Sequence, residues 1–491
     1  MSLELESPVS QTREQRLGSI TGYQGNLHDL VQSGCGGGLK NRSRCLSTAS
    51  SCSHGPAIGQ LSGIEGVVVV DHSPIGCTAG QTGAQNLRGR APTDPDVKIR
   101  QRRVFSTGMT EPDTVFGGTE TLRDTVRIAF ERHHPRAIFI TTSCVSSIIG
   151  DDVESVAREL TEELGIPVGT ASTEGLRSKI WASGFDAYCH AVTRSLVKAP
   201  PKRRNDVINY VGFVKVGRKK IDHLFARLGL EVNYLTANST LEDFARASEA
   251  LGTFIQCGSA ASYLAGALEQ LHGVKFFQTY PPYGGLGFER FFRQLGAFIG
   301  KEKEAEEVIA EQRARYAPEL EALRQELTGA KAVIALGGTY AFEYLRMLGE
   351  LGIEVVHTAA FHFDPRLDNQ SDDPISFAAD VQELGLRSDV SVNDIQQYEI
   401  YLTVKKLQPD FVVSRAHGAS PWAVRTGVVA VEAQIGIQIF GYEGLVHLGR
   451  TIALELRNRN FSKKLAHHFE SPFTETFEAS EPFAKLLPEA A

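Results

Sequence analysis

The sequence predicts an α/β protein built on parallel, doubly wound sheets. Apolar runs of strand length alternate with stretches of helical spacing, which is the pattern of repeated strand–helix–strand units. Several of those runs end in Gly- or Ser-rich turns, where open α/β sheets form their ligand crevice. At 491 residues the chain exceeds a single core, and roughly three domains of ordinary size are expected.

Residues 1–50 read as an irregular extension, rich in Gly and Ser and without an apolar period. Residues 51–205 form the first βα series. Val67–Val70 is a strand, Leu122, Val126, Ala129 and Phe130 mark one helix face, Pro135 ends that helix, and Ala137–Ile140 is the next strand. Asp151 and Asp152 open a helix with Val153, Val156, Ala157, Leu160 and Leu164 inward, Gly165 stops it, and Ile166–Val168 follows as strand. The basic, polar stretch at 198–206 reads as a linker.

Residues 206–330 carry a second series. Val207–Val214, Val232–Leu235 and Thr253–Gln256 are strands, a helix carries Ile221, Leu224, Phe225 and Leu228, and the charged helix at 301–313 is a solvated, ion-paired face. Residues 331–491 carry a third, with strands at 332–336, Ile353–Val356, Pro409–Ser414 and Val428–Glu432, and a helix over Tyr340–Glu350. Gly337–Gly338 lacks the third glycine of a dinucleotide fingerprint and reads as an ordinary turn; no G-x-x-x-x-G-K-S/T appears.

The chemistry gathers on cysteines. Cys52 opens C-S-H-G-P-A-I-G, Cys77 closes H-S-P-I-G-C after Val67–Val70, and Cys144 follows A-I-F-I-T-T-S. Thiols on separate loops at the carboxyl ends of parallel strands can converge on one soft inorganic object, and thiolates are the usual ligands of iron–sulfur clusters. Gly55, Gly59, Gly76 and Gly80 leave room for close backbone approach. Cys257, after Thr253–Gln256, repeats the placement. Cys189, on a helix with Tyr188 and Val192, reads as core, and Cys35 and Cys45 as structural or incidental.

Composition excludes other classes. A net charge of -7 without a basic arm argues against nucleic acid as the main partner. The apolar runs are too short to span a bilayer, and M-S-L-E-L-E-S-P lacks a secretory core, so a cytoplasmic location is expected. An odd count of 7 cysteines suits a reducing compartment and metal or redox use.

Taken together, C-S-H-G at 52, H-S-P-I-G-C at 72–77, M-T-E-P-D-T-V-F-G-G at 109–118, S-C-V-S-S-I-I-G-D-D at 143–152, the lone Cys257 and F-G-Y-E-G at 440–444 resemble the α (D-type) subunit of nitrogenase component 1 and the wider nitrogenase-like reductases. The resemblance implies three Rossmann-like domains and pairing with a homologous K-type subunit, doubled to a heterotetramer. It implies that Cys52, Cys77 and Cys144 ligate an eight-iron P-cluster-type centre shared with that partner. Cys257 would tether a larger active-site iron–sulfur cofactor, and a separate dimeric iron protein would hydrolyse ATP and deliver electrons.

Departures from the family pattern bear on activity. Trp181 and Phe185 stand where nitrogenases place a glutamine and a histidine, and Gln434 stands where a histidine holds the far end of the cofactor. An amide is a weaker iron ligand than imidazole. His417 is a possible substitute; His362 and His54 are weaker ones. An aromatic pocket wall suits a small apolar or sulfur-bearing substrate. Among nitrogenase-like reductases this resembles methylthio-alkane reductase, whose activity is reductive C–S cleavage of volatile organic sulfur compounds to methanethiol plus an alkane or alkene. The alternatives are an E-type cofactor-assembly scaffold, a nitrogenase α subunit proper, and a tetrapyrrole reductase subunit, against which Cys257 argues.

Overall fold

The computed structural model describes residues 8–10, 12, 23–33, 52–88, 103–178, 181–212, 217–279, 281–364, 377–392, 397–415 and 419–478. The chain divides into two compact units, one of Met1–Arg16 with Ser51–Thr279, the other of Leu17–Ser50 with Tyr280–Ala491. Among the described residues, fourteen strands make three sheets. They are β1 (Tyr23–Asn26), β2 (Val67–His72), β3 (Val104–Ser106), β4 (Ala137–Thr142), β5 (Val168–Ala171), β6 (Arg204–Val211), β7 (Glu231–Leu235), β8 (Ala250–Ile255), β9 (Lys275–Phe276), β10 (Lys331–Leu336), β11 (Glu354–Ala360), β12 (Asp389–Val392), β13 (Phe411–Ser414) and β14 (Val429–Glu432).

In the first unit, one sheet has the order β3-β2-β4-β5 and the other β7-β6-β8-β9, all parallel. Every residue of β2 and β4 is buried, as expected of central strands covered on both faces. Leu122, Val126, Val156 and Leu160 cover one face of the first sheet. Its other face shares a core with the second sheet, through the helices His54–Leu61, Ser183–Ser195 and Gly258–His272. The helix Val153–Leu164 starts and stops as its sequence directs. The Asp152 side chain accepts from Ser155 N, and Gly165 closes the helix in the left-handed region.

Three elements differ from the sequence reading. The N-terminal extension is not wholly irregular: β1 pairs antiparallel with β12 and leads into the helix Leu27–Ser33, a pairing that no local periodicity announces. The stretch at 198–206 is not a boundary between units. Arg203 donates to the Ser248 and Ala250 carbonyls at 3.2 and 2.9 Å, and β6 already begins at Arg204. The helices Gly284–Ile299 and Glu302–Leu327 fall in the second unit, not with the second sheet. The charged helix is longer than 301–313, and its face is ion-paired as expected, through Lys301–Glu304, Arg450–Glu319 and Arg457–Glu326.

The second unit holds the sheet β1-β12-β11-β10-β13-β14, parallel apart from β1. Beside it lies a buried charge cluster. Arg346 pairs with Glu343 and lies 3.7 Å from Asp380, which Arg290 also holds. Glu350 accepts from Gly285 N and Leu286 N at 3.0 and 3.2 Å, capping the helix Gly284–Ile299. Burial pushes Glu343 and Glu350 up to about 7 from an ordinary 4.5, against the pull of Arg346. In that interval the folded protein binds more protons than the unfolded chain. The contribution of these groups to stability is therefore full below about 4.5 and is lost as pH rises through about 7. Glu343→Gln is expected to flatten that decline, read as a smaller fall in the urea midpoint between pH 4.5 and 7 than in the parent.

Candidate functional site

Strand β2 ends in Asp71 and His72, two polar residues inside an otherwise apolar buried run. A carboxylate with no solvent exposure must have its lone pairs filled. Asp71 Oδ1 lies 2.9 Å from His54 Nε2 and accepts from Thr141 Oγ1 at 2.9 Å. Its Oδ2 accepts from Ser73 Oγ at 2.7 Å and Thr78 Oγ1 at 2.5 Å. Burial alone would raise this carboxyl; the close contact and charge of His54, with the Thr78 and Ser73 hydroxyls, hold it below its ordinary value.

The partners of Asp71 flank the three thiols. His54 follows Cys52, Thr78 follows Cys77, and Thr141 leads into Cys144. Each thiol stands at or near the start of a helix, and Cys77 and Cys144 follow the parallel strands β2 and β4. Cys52 precedes His54–Leu61, Cys77 lies in the first turn of Ile75–Arg88, and Cys144 opens Cys144–Ile149. The structure brings the three together. Burial pushes the Cys52 thiol up, and the charge of Cys144 adds to it; burial, then Asp71, Cys52 and Cys144, push Cys77 up.

Close backbone approach shapes the pocket at Gly175, a glycine the sequence reading did not single out. An added Cβ at Gly175 would stand 2.8 Å from Cys52 Cβ and 3.1 Å from its sulfur, with the Cys144 sulfur at 4.0 Å. Gly76 and Gly80 instead face open space. The Leu176 amide donates to the Cys144 sulfur at 3.3 Å, and Gln81 Nε2 to the Cys52 sulfur at 3.9 Å. Ile75, Ile148 and Leu176, each close in sequence to this pocket, are exposed apolar side chains, and Cys77 is exposed. Among the described residues no group of three His, Cys, Asp or Glu side chains is arranged to hold a single metal ion. Thiols gathered on one pocket are a donor set that a cationic centre suits, and a polynuclear iron–sulfur centre fits that chemistry.

A second buried pair joins the same elements. His72 Nε2 lies 2.8 Å from Asp151 Oδ2, and Asp151 also accepts from Gly118 N at 3.1 Å. The sequence reading missed Asp71 as a site residue. A charged residue closing a buried apolar strand was the available signal.

Cys257 stands on the second sheet of the unit. It follows β8, is buried, and caps the helix Gly258–His272, its carbonyl accepting from Ala260 N and Ala261 N. Trp181 and Phe185 pack edge to face, with centroids 5.7 Å apart. Cys189 is fully buried with its thiol pushed well up by burial, consistent with core. Gln434, in the second unit, donates to Thr451 Oγ1 at 3.3 Å, while its buried Oε1 has no hydrogen-bond partner among the described residues. His362 is buried, and His54 is taken up by Asp71 and Thr173. Cys35, Cys45 and His417 lie outside the described residues.

A family model for nitrogenase component 1 type oxidoreductases matches residues 52–457, beginning at the first of the three thiols. The chain belongs to that family. It is 28% identical over 372 residues to the nitrogenase molybdenum-iron protein alpha chain of Clostridium pasteurianum, covering 74% of this chain and 69% of that one. It is 25% identical over 464 residues to the nitrogenase iron-molybdenum cofactor biosynthesis protein NifE of Methanococcus maripaludis, covering 91% and 93%. The solved structure titled nitrogenase Cp1 at pH 5 superposes with a TM-score of 0.71 at 24% identity, over 88% of this chain and 92% of that one, which shows a shared fold. No helix among the described residues is long and apolar enough to cross a membrane.

Two glycine substitutions test the pocket. A Cβ at Gly184 would stand 1.8 Å from the Ser53 carbonyl oxygen, so Gly184→Ala requires backbone movement and is expected to cost about 3 kcal/mol or more in urea unfolding. At Gly175 the obstacle is the Cys52 side chain, so Gly175→Ala is expected to fold but to hold less iron than the parent when purified anaerobically.

Proposed function

We propose that this chain is the catalytic D-type subunit of a nitrogenase-like, ATP-dependent reductase that cleaves the C–S bond of small methylthio-alkanes. Cys52, Cys77 and Cys144 would hold a P-cluster-type eight-iron centre shared with a homologous K-type subunit. Cys257 would tether a larger iron–sulfur cofactor. The assembly would be a heterotetramer of two D and two K subunits, fed by a dimeric iron protein that hydrolyses ATP. Such clusters supply low-potential electrons one at a time when bound.

The reaction balances as a thioether plus two electrons and two protons giving methanethiol and an alkane. The C–S bond breaks, and sulfur and carbon each take a proton. With 2-(methylthio)ethanol the hydroxyl leaves as water and the carbon product is ethylene.

The observation that carries the reading is the edge-to-face pair of Trp181 and Phe185. By the family resemblance, two aromatic rings stand where nitrogenases place a glutamine and a histidine. An apolar thioether is favoured by such a wall, and multi-proton chemistry on dinitrogen is not. At Cys257 this chain would bind and orient the cofactor from the N-cap of the helix Gly258–His272, and the positive end of a helix favours a thiolate near it.

A second reading, a cofactor-assembly scaffold, is favoured by one observation: the NifE likeness spans 91% of the chain against 74% for the alpha chain. Scaffolding needs no turnover. The test is anaerobic purification with the K-type partner, followed by iron, molybdenum and vanadium analysis and a headspace assay for methanethiol with the iron protein and ATP. Methanethiol release is expected from the parent. Cys257→Ala should abolish it while retaining the relay iron. An iron-loaded parent complex that releases none would favour the scaffold instead.

A further inference from the structure

We propose that Asp71 is a positioning residue that also sets the reduction potential of the relay centre. The inference rests on the reading that Cys52, Cys77 and Cys144 hold an iron–sulfur cluster, and goes beyond it in assigning the residue that fastens and electrically biases the site.

Two observations on different groups lead to it. One is connectivity. One oxygen of a single buried carboxylate accepts from Thr141 and lies 2.9 Å from His54 Nε2 in an ion-pair contact, and the other accepts from Ser73 and Thr78, at 2.5–2.9 Å. These partners belong to the three segments that carry the thiols, so one side chain bears on their mutual spacing. The network continues outward. His54 Nδ1 lies 2.8 Å from Thr173 Oγ1, and Thr173 Oγ1 donates to the Thr142 carbonyl at 2.5 Å. Thr78 Oγ1 also lies 2.9 Å from Ser106 Oγ. Rotation of any one segment therefore breaks hydrogen bonds in the others.

The second observation is charge. Asp71 has no solvent exposure, and Thr78, which donates to it at 2.5 Å, is the residue next to Cys77. A fixed negative charge in a low-dielectric interior disfavours adding an electron nearby, and cluster potentials respond to net charge and to hydrogen bonds at the sulfurs. The Leu176 amide on the Cys144 sulfur acts in the opposite sense, since a donor to sulfur favours the reduced form. Asp71 biases the centre toward giving its electron onward, as a relay requires.

The test is a potential measured by EPR-monitored redox titration of the anaerobic complex, which does not depend on thioether turnover. Asp71→Asn removes the charge with little change of shape. Its potential is expected to rise, by an amount on the order of 59 mV for a tenfold change in a one-electron equilibrium. Ser73→Ala keeps the charge but removes a hydroxyl that disperses it, and a fall in potential is expected. An iron-loaded Asp71→Asn complex with the parent potential would overturn the proposal. If Asp71→Asn fails to load iron, Ser73→Ala decides: a lower potential supports the assignment and an unchanged one overturns it. A parent complex without iron would instead defeat the cluster reading on which this one rests.

Discussion

The Asp71 carboxylate is the constraint on which the candidate site depends. It sits at the end of a fully buried strand, where an unfilled lone pair would cost about 1–3 kcal/mol. The chain fills those lone pairs with groups from three separate segments. Each of these segments carries a cysteine close to its donor. The cost of burying one charge is thereby turned into a geometric requirement: the segments must meet at Asp71, and their thiols meet with them. The His72–Asp151 pair repeats the device one residue further on, joining the end of β2 to the turn after the Cys144 helix and to Gly118.

The sheet order explains why these segments are available to meet. In β3-β2-β4-β5, the neighbours β2 and β4 deliver their carboxyl ends side by side, with Asp71 opposite Thr141 in register. Parallel pairing thus places the loop bearing Cys77 next to the helix bearing Cys144. The helix that follows Cys52 reaches the same edge because His54 and Ser53 bond to Thr173, just beyond β5. The second sheet repeats the geometry with Cys257 after β8. Both placements follow from the general rule that open parallel sheets bind at the carboxyl ends of their strands.

Much of this was legible in the chain. The runs before Cys77 and Cys144 read as strands because four or more apolar residues end in turn chemistry, and β2 and β4 are strands there. Asp152 and Gly165 delimit a helix through capping alone. What was not legible depends on long-range contact. Strand β1 forms only because β12 offers it an edge. Arg203 reads as a linker residue until the carbonyls of Ser248 and Ala250 come within reach. The glycine that matters beside Cys52 is Gly175, more than a hundred positions away in sequence, whereas the nearby Gly76 and Gly80 face open space. Local sequence can announce a strand, a cap or a turn; it cannot announce which backbone will lie against which sulfur.

The most direct measurement is X-ray absorption at the iron edge of the anaerobically purified complex, for the parent and for a variant with Cys52, Cys77 and Cys144 all replaced by alanine. Three thiols converging on one polynuclear centre predict iron–sulfur and iron–iron scattering in the parent, with a clear loss of bound iron in the variant. A parent sample without iron, or one whose iron has only oxygen and nitrogen neighbours, would contradict it.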